Sequence, residues 1–215
     1  MSGTRPKVIC LGAGGHARVL IESLRRAGEL ELIGLLDSDE SLHGSGVLGV
    51  EVMGGDDLLG TGGVVDAAGF VCGVGGVNSN DARRTAFRRA WKTGLRAMTV
   101  IDPSAVVSPS ALLEAGVFAA PGAIINAGAS IGMNAIVNTR AVVEHDARIG
   151  EHAHVAPGAV VLGGTDIGVA ALVGSGAVVL PGVRVGREAL AGAGAVVAKD
   201  VAEGAKVMGV PGTVR

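Results

Sequence analysis

Three of the chain's five histidines fall within ten residues, in Glu144-His145-Asp146 and His152-Ala153-His154. Imidazole changes charge near neutral pH, and an adjacent carboxylate orients it and raises its basicity. His145, set between two acids, is therefore a candidate general base. Two other readings compete with that one. Zinc would need ligands at metal-binding spacing, and neither that spacing nor a nearby Cys is present. A solvated corner of the fold would carry histidines with no chemistry at all.

A second candidate lies near the start, where Gly12-Ala13-Gly14-Gly15-His16-Ala17 follows an apolar run and opens a helical one. Glycines there let a ligand approach the backbone, and a helix N-terminus presents unpaired amides to phosphate. Gly12, Gly14 and Ala17, with Asp37 twenty residues further on, also match a dinucleotide fingerprint. Only about 95 residues precede the repeat described below, enough for one mononucleotide half and not two. A nucleotide or nucleotide-sugar is favoured over NAD, and a tight turn without ligand is the plain alternative. Arg83, Arg84, Arg88, Arg89 and Lys92 share one helical segment and read as a solvated face, since no aromatic stacking residues accompany them.

Two kinds of element must position these groups. Before residue 100, strand-like runs Lys7–Leu11, Leu32–Leu36, Phe70–Val74 and Ala97–Ile101 alternate with helical patterns His16–Ala27 and Asp81–Lys92. Asn80 or Asp81 can cap the second helix and Gly94 can end it. This alternation predicts a small parallel, Rossmann-like α/β domain with ligands at the carboxyl ends of its strands.

From Ile101 the period becomes six. Of the seventeen residues Ile101, Val107, Leu113 and so on to Val197, fifteen are Ile, Leu or Val, and thirteen have Ala two places earlier. Glycine often follows directly, as at Gly132, Gly150, Gly168, Gly174, Gly186 and Gly192, where it is expected to supply unusual backbone at the corners. A hexapeptide period is the signature of a parallel β-helix, a triangular prism of 18-residue coils. Seventeen hexads make a prism roughly 27 Å tall at about 4.8 Å per coil. His145 and Gly163 then share a corner on successive coils, about 5 Å apart, whereas His145 and His154 are half a coil apart and face opposite sides. A site using both histidines must lie between neighbouring prisms, and a ring of three is the simplest such assembly. Lys199–Arg215 breaks the repeat and is expected to cap it.

Composition narrows the classes. Among 215 residues there are 37 Gly and only four aromatics, yet 48% are hydrophobic and mean hydropathy is +0.50. Disorder and collagen are excluded. A net charge of −2, from 18 basic and 20 acidic residues, gives no field for nucleic acid or acidic lipid. The uncharged stretch 115–139 is interrupted by Gly, Pro and Asn, unlike a membrane-spanning helix. No secretory signal opens the chain, and Cys10 and Cys72 read as buried free thiols, so a cytoplasmic location is expected.

The chain resembles the hexapeptide-repeat acyltransferases, and within them the bacterial nucleotide-sugar N-acetyltransferases related to sialic acid O-acetyltransferases. The resemblance rests on the Gly-Ala-Gly-Gly-His-Ala loop, Asp37, Gly73-Val74-Gly75, Ile101-Asp102-Pro103-Ser104-Ala105, Asn138-Thr139, Val143-Glu144-His145-Asp146 and Gly209-Val210-Pro211. It implies a nucleotide-sugar-binding domain over 1–98 and a left-handed β-helix over 99–215, assembled as a homotrimer that binds acetyl-CoA between subunits without a metal. By position, Gly14, Gly15, His16, Asp37, Ser38, Gly75 and Asn138 would meet the nucleotide-sugar. His145 would be the base, Asp146 its supporting acid and the Gly163 amide the oxyanion donor. His154 would lie near the acetyl group, with Gly163, Ser175 and Ala193 along the CoA arm. The implied reaction is N-acetylation of a nucleotide-linked (4-)amino sugar. A sugar O-acetyltransferase, a non-catalytic nucleotide-sugar-binding or scaffold protein, and an NAD-dependent oxidoreductase are the competing readings.

Overall fold

Val8, Ile9, Cys10 and Leu11 form an unbroken apolar run, as a strand covered on both faces requires, and all are buried in β1 (Lys7–Leu11). The computed structural model describes residues 4–59, 64 and 66–214. Around β1 lie β2 (Glu31–Leu36), β3 (Gly46–Val47), β4 (Val50–Gly54), β5 (Gly69–Cys72) and β6 (Arg96–Ala97), in the order β3-β4-β2-β1-β5-β6. Every pairing is parallel except the β3–β4 hairpin. Helix α1 (Gly15–Ala27) buries Ala17, Leu20, Ile21 and Leu24, the face its spacing predicts. It stops at Gly28, whose left-handed backbone lets its N–H reach the Leu24 carbonyl at 2.9 Å. Helix α2 (Asp81–Lys92) follows β5.

The strand expected over Ala97–Ile101 is two strands. Arg96–Ala97 completes the sheet, and Val100–Ile101 starts the prism. From there two-residue strands recur on three faces. The first face runs from Val100–Ile101 to Leu190–Ala191, the second from Val106–Val107 to Val196–Val197, and the third from Leu112–Leu113 to Arg184–Val185. Each residue pairs in parallel with the one 18 further on, as Val143 with Val161 and Ile149 with Ile167, so inward side chains stack in columns. Ala123, Ile125, Ala141, Val143, Ala159 and Val161 are completely buried. Each such Val or Ile contributes about 1.5–3 kcal/mol of burial, which is how a core almost without aromatics suffices.

The glycines after the inward residues do not supply the unusual corners. Their φ values are not positive. A Cβ on Gly132, Gly150, Gly168, Gly174 or Gly186 would instead lie 2.5–2.7 Å from the backbone of the next coil. They are glycine so that coils can stack. From Gly116 to Gly194 the left-handed corners fall three residues before the inward residue, and six are not glycine: Asn134, Arg140, Asp146, His152, Ala170 and Glu188. Lys199–Arg215 is also more than a cap. Val201 and Val207 continue the core in a shortened coil, pairing 16 residues back with Val185 and Ala191. Lys206–Met208 then pairs antiparallel with Thr213–Val214, closing the prism's edge.

Two joints hold sheet and prism together. Asp102, buried at the start of the prism, accepts from Ser23 Oγ at 2.7 Å and Ser104 N at 2.9 Å, and pairs with Arg26 of α1. Burial alone would raise the Asp102 carboxyl, but hydrogen bonds from Ser104, Ser23 and Arg26 outweigh it and hold it well below the usual carboxylate range. Asp102→Ala should therefore lower unfolding stability by about 1.5–3 kcal/mol in urea melts near neutral pH. With its folded-state value depressed, this contribution is complete above about pH 4 and fades as pH falls toward that value. Equal wild-type and variant midpoints at pH 7 would remove Asp102 from the joint.

The second joint is α2 lying along one corner column, Gly116, Asn134, His152, Ala170 and Glu188. Asn80 does not cap the helix with its side chain. Its Nδ2 donates to the carbonyls of Ala170 and Ala171 at 3.1 and 3.2 Å. Arg84 pairs with Glu188 at 2.7 Å, and Phe87 packs edge-on against His152 at 5.5 Å. Arg83 is not part of a solvated face, because it is fully buried and donates to the Asn134 carbonyl at 3.0 Å. Arg83, Phe87 and Ala90 recur at helical spacing and define the buried side.

Candidate active site

A cleft of about 940 Å³ opens between the carboxyl ends of the strands and the first face of the prism. The sheet side presents Gly14, Gly15, His16, Asp37 and Gly75, and the prism side presents Asn138, His154, Ser175 and Ala193. Ser38 is left outside this wall. The Asp37 carboxylate accepts the Ala13 N–H at 2.7 Å and the Asp39 N–H at 2.9 Å. This Asx turn faces Ser38 to solvent. Gly14 occupies the N-cap position of α1 without a side-chain cap, so the first amides of the helix remain available at the cleft.

The prism wall is built from hydrogen bonds of fixed polarity. Asn138 Oδ1 accepts the Thr139 N–H at 2.8 Å, which directs its Nδ2 to His154 Nε2 at 2.9 Å. His154 Nδ1 faces the Gly76 carbonyl at 3.1 Å. Nδ1 therefore carries the proton and Nε2 accepts, a pattern only neutral imidazole can make. Burial, reinforced by the charge of Arg83, pushes His154 down to about 4. His16 stands 6.4 Å away ring to ring and edge-on to Phe118 at 5.5 Å. Burial, then Arg83, then His154 push it down to about 3.

His145, Asp146 and Gly163 form a separate constellation, on the corner between the second and third faces. The His145 side chain is 67% exposed and its Nδ1 lies 2.9 Å from Asp146 Oδ2. The bond from Nδ1–H leaves Nε2 with a free lone pair. Nε2 lies directly above Gly163, where an added Cβ would come within 2.6 Å of it. Among the described residues the Gly163 N–H donates to no backbone or side-chain acceptor. An exposed base thus stands beside an unused amide, the pair that stabilising an oxyanion during proton transfer requires. The Asp146 hydrogen bond raises His145 above its ordinary 6.5.

Sequence reasoning gave no site role to Thr139 and Val74, although both sit in quoted motifs, and passed over Pro157; all three line the cleft. The signal for Thr139 and Pro157 was the 18-residue column that already contained Ser175 and Ala193. Among the described residues, no three His, Cys, Asp or Glu side chains converge as a metal site needs, and no helix is long and apolar enough to cross a membrane.

Residues 7–90 match the family described as PglD N-terminal domain, and residues 128–163 match bacterial transferase hexapeptide (six repeats). These matches define the class, an α/β domain on a left-handed β-helix of the hexapeptide acyltransferases. Perosamine N-acetyltransferase from Caulobacter crescentus, solved with CoA and GDP-perosamine, is 38% identical over 99% of this chain and 98% of its own, with a TM-score of 0.91. The acetyltransferase domain of PglB from Neisseria gonorrhoeae, solved with acetyl coenzyme A, is 32% identical over 99% of this chain and 100% of its own, with a TM-score of 0.89. WeeI from Acinetobacter baumannii, at 23% identity, 99% and 100% coverage and a TM-score of 0.84, shares the fold. No match is found among curated proteins. The chain belongs to the nucleotide-sugar N-acetyltransferases of the hexapeptide-repeat family, enzymes that use acetyl-CoA.

Proposed function

We propose that this enzyme transfers the acetyl group of acetyl-CoA to the amino group of a nucleotide-linked amino-deoxy sugar, with GDP-perosamine as the first acceptor to test. The carrying observation is His145 Nε2 poised over the unused Gly163 amide, with Asp146 on the opposite nitrogen. His145 takes a proton from the amine as its nitrogen bonds to the thioester carbonyl carbon. The Gly163 N–H holds the resulting oxyanion. The C–S bond then breaks, and CoA leaves as the thiol after receiving that proton. Residues 1–98 hold the nucleotide-sugar through Gly14, Gly15, His16, Asp37 and Gly75, with Asn138 reaching from the prism. His154, Ser175 and Ala193, in 99–215, line the path of CoA.

A homotrimer supports this chemistry. The second face carries an outward column of Val106, Ile124, Val142, Val160, Val178 and Val196, whereas the third carries Arg148, Asp166 and Arg184. Packing second faces around a threefold axis buries the apolar column. It also brings His145, at one edge of that face, to the cleft at the opposite edge of the neighbouring prism. Two buried free thiols, Cys10 and Cys72, fit the reducing cytoplasm. Two variants of the Caulobacter crescentus enzyme, each with the same histidine replaced, were solved with CoA and GDP-perosamine bound, so one histidine of that enzyme is dispensable for holding both ligands.

The test follows free thiol released from acetyl-CoA with a panel of nucleotide amino sugars. Amine-dependent release is expected. Release only with a hydroxyl acceptor such as a sialic acid, or with none, overturns the reading. Because Asp146 raises His145, the acidic limb of kcat/KM should lie above pH 6.5, with activity rising as the imidazolium loses its proton. Asp146→Asn keeps a side chain that tolerates the left-handed corner and should move that limb to lower pH. A limb that stays in place would detach Asp146 from the base.

A further inference from the structure

Arg83 alone of the basic residues on α2 is completely buried, and it forms no ion pair with Asp or Glu among the described residues. A guanidinium keeps its charge in a protein interior, and burying an unpaired charge is costly. Three carbonyls receive it instead. Its Nη1 donates to Cys72 at 2.6 Å and Val74 at 2.8 Å, its Nε donates to Asn134 at 3.0 Å, and its Nη2 is buried without a partner. Cys72 and Val74 flank Gly73, where β5 runs into the glycine loop lining the cleft, and Asn134 is a corner of the prism. One side chain therefore ties the loop to the prism.

The groups facing this charge directly include no carboxylate, and Asp37, at the end of β2, faces Cys10. Those facing it are the thiols of Cys10 and Cys72 from β1 and β5, His16 from the start of α1, and His152 and His154 from the prism. Arg84 and Arg88, on the same helix, add positive charge toward His152. We propose that Arg83 is a positioning residue for acetyl transfer: its bonds to the Cys72 and Val74 carbonyls on one side and the Asn134 carbonyl on the other fix the glycine loop against the prism, with its unpaired charge facing His16 and His154. The proposal rests on reading the cleft as the nucleotide-sugar site. A sugar ammonium entering under that positive potential gives up its proton more readily, and only the free amine attacks a thioester.

The test is an NMR titration of the imidazoles, which needs no turnover, in wild type, Arg83→Met and Arg83→Lys. In wild type His16 and His154 should stay neutral through pH 5. Arg83→Met should raise the proton affinity of both about threefold or more, and Arg83→Lys, which keeps the charge, should leave both near wild type. In kinetics, Arg83→Met should raise KM for the nucleotide-sugar and carry the acidic limb of kcat, which reports ionisations in the bound complex, to higher pH, with the limb restored in Arg83→Lys. Unmoved midpoints in folded Arg83→Met overturn the proposal. Should that variant not fold, Arg83→Gln takes its place, and a wild-type His154 titrating near 6.5 overturns the proposal without any variant. Wild-type enzyme that acetylates no nucleotide amino sugar defeats the functional reading and leaves the titration result standing.

Discussion

Replacing His145 by alanine is expected to lower turnover about a hundredfold or more, the range set by loss of a general base, while acetyl-CoA and nucleotide-sugar still bind. The side chain is two-thirds exposed, and its ring is bonded only to Asp146, so its loss leaves the core untouched. Stability should stay within about 0.5 kcal/mol of wild type. The walls of the cleft are built by other residues and the imidazole's part is to take a proton, so binding by calorimetry should change little. Wild-type turnover in the variant would place the base on another residue. Loss of binding together with turnover would make His145 a ligand-holding group.

Gly163→Ala is the second large effect, and it reaches the same histidine by another route. The backbone at Gly163 is not left-handed, so alanine meets no backbone strain there. Its methyl would stand 2.6 Å from His145 Nε2 and 2.7 Å from Cε1, closer than such atoms approach. The imidazole must swing away while the Gly163 amide stays in place. A displacement of about 1 Å costs on the order of a hundredfold in rate, and that loss is expected with little change in melting temperature. Gly164→Ala is the opposite case. Gly164 has φ 66° and nothing within 4 Å of an added Cβ. Alanine there should cost about 1–2 kcal/mol of stability and leave turnover nearly intact. If the neighbouring variants behave alike, the contact between Gly163 and His145 is not what controls the rate.

The period of six made the prism legible because a triangular coil repeats its inward residue three times per turn. The 18-residue arithmetic then placed His145 on Gly163 with no fold in view, whereas Ser175 and Ala193 came from the resemblance. The corners were misread for a related reason. Their left-handed positions hold Asn134, Arg140, Asp146, His152, Ala170 and Glu188 as readily as glycine, so the visible glycine pattern marked coil stacking instead. The β3–β4 hairpin was hidden because Leu48 occupies a left-handed turn position, φ 50°, usually filled by Asn or Gly. Arg83 was lost among four other basic residues of its helix. Only its spacing from Phe87 and Ala90 hinted that one cation turns inward. Ser38 came from resemblance, and the turn drawn in by Asp37 leaves it at the surface.

Thr139, Pro157, Ser175 and Ala193 stand one above another along the cleft, one residue from each successive coil. At about 4.8 Å per coil the wall is graduated like a measuring rod. From Thr139, beside the Asn138–His154 pair, to Ala193 the wall spans three 18-residue steps. On the proposed CoA path, a donor with a longer or shorter arm would be matched by adding or removing one whole step, leaving every side chain in the remaining steps where it was. Reach in this enzyme is counted rather than adjusted.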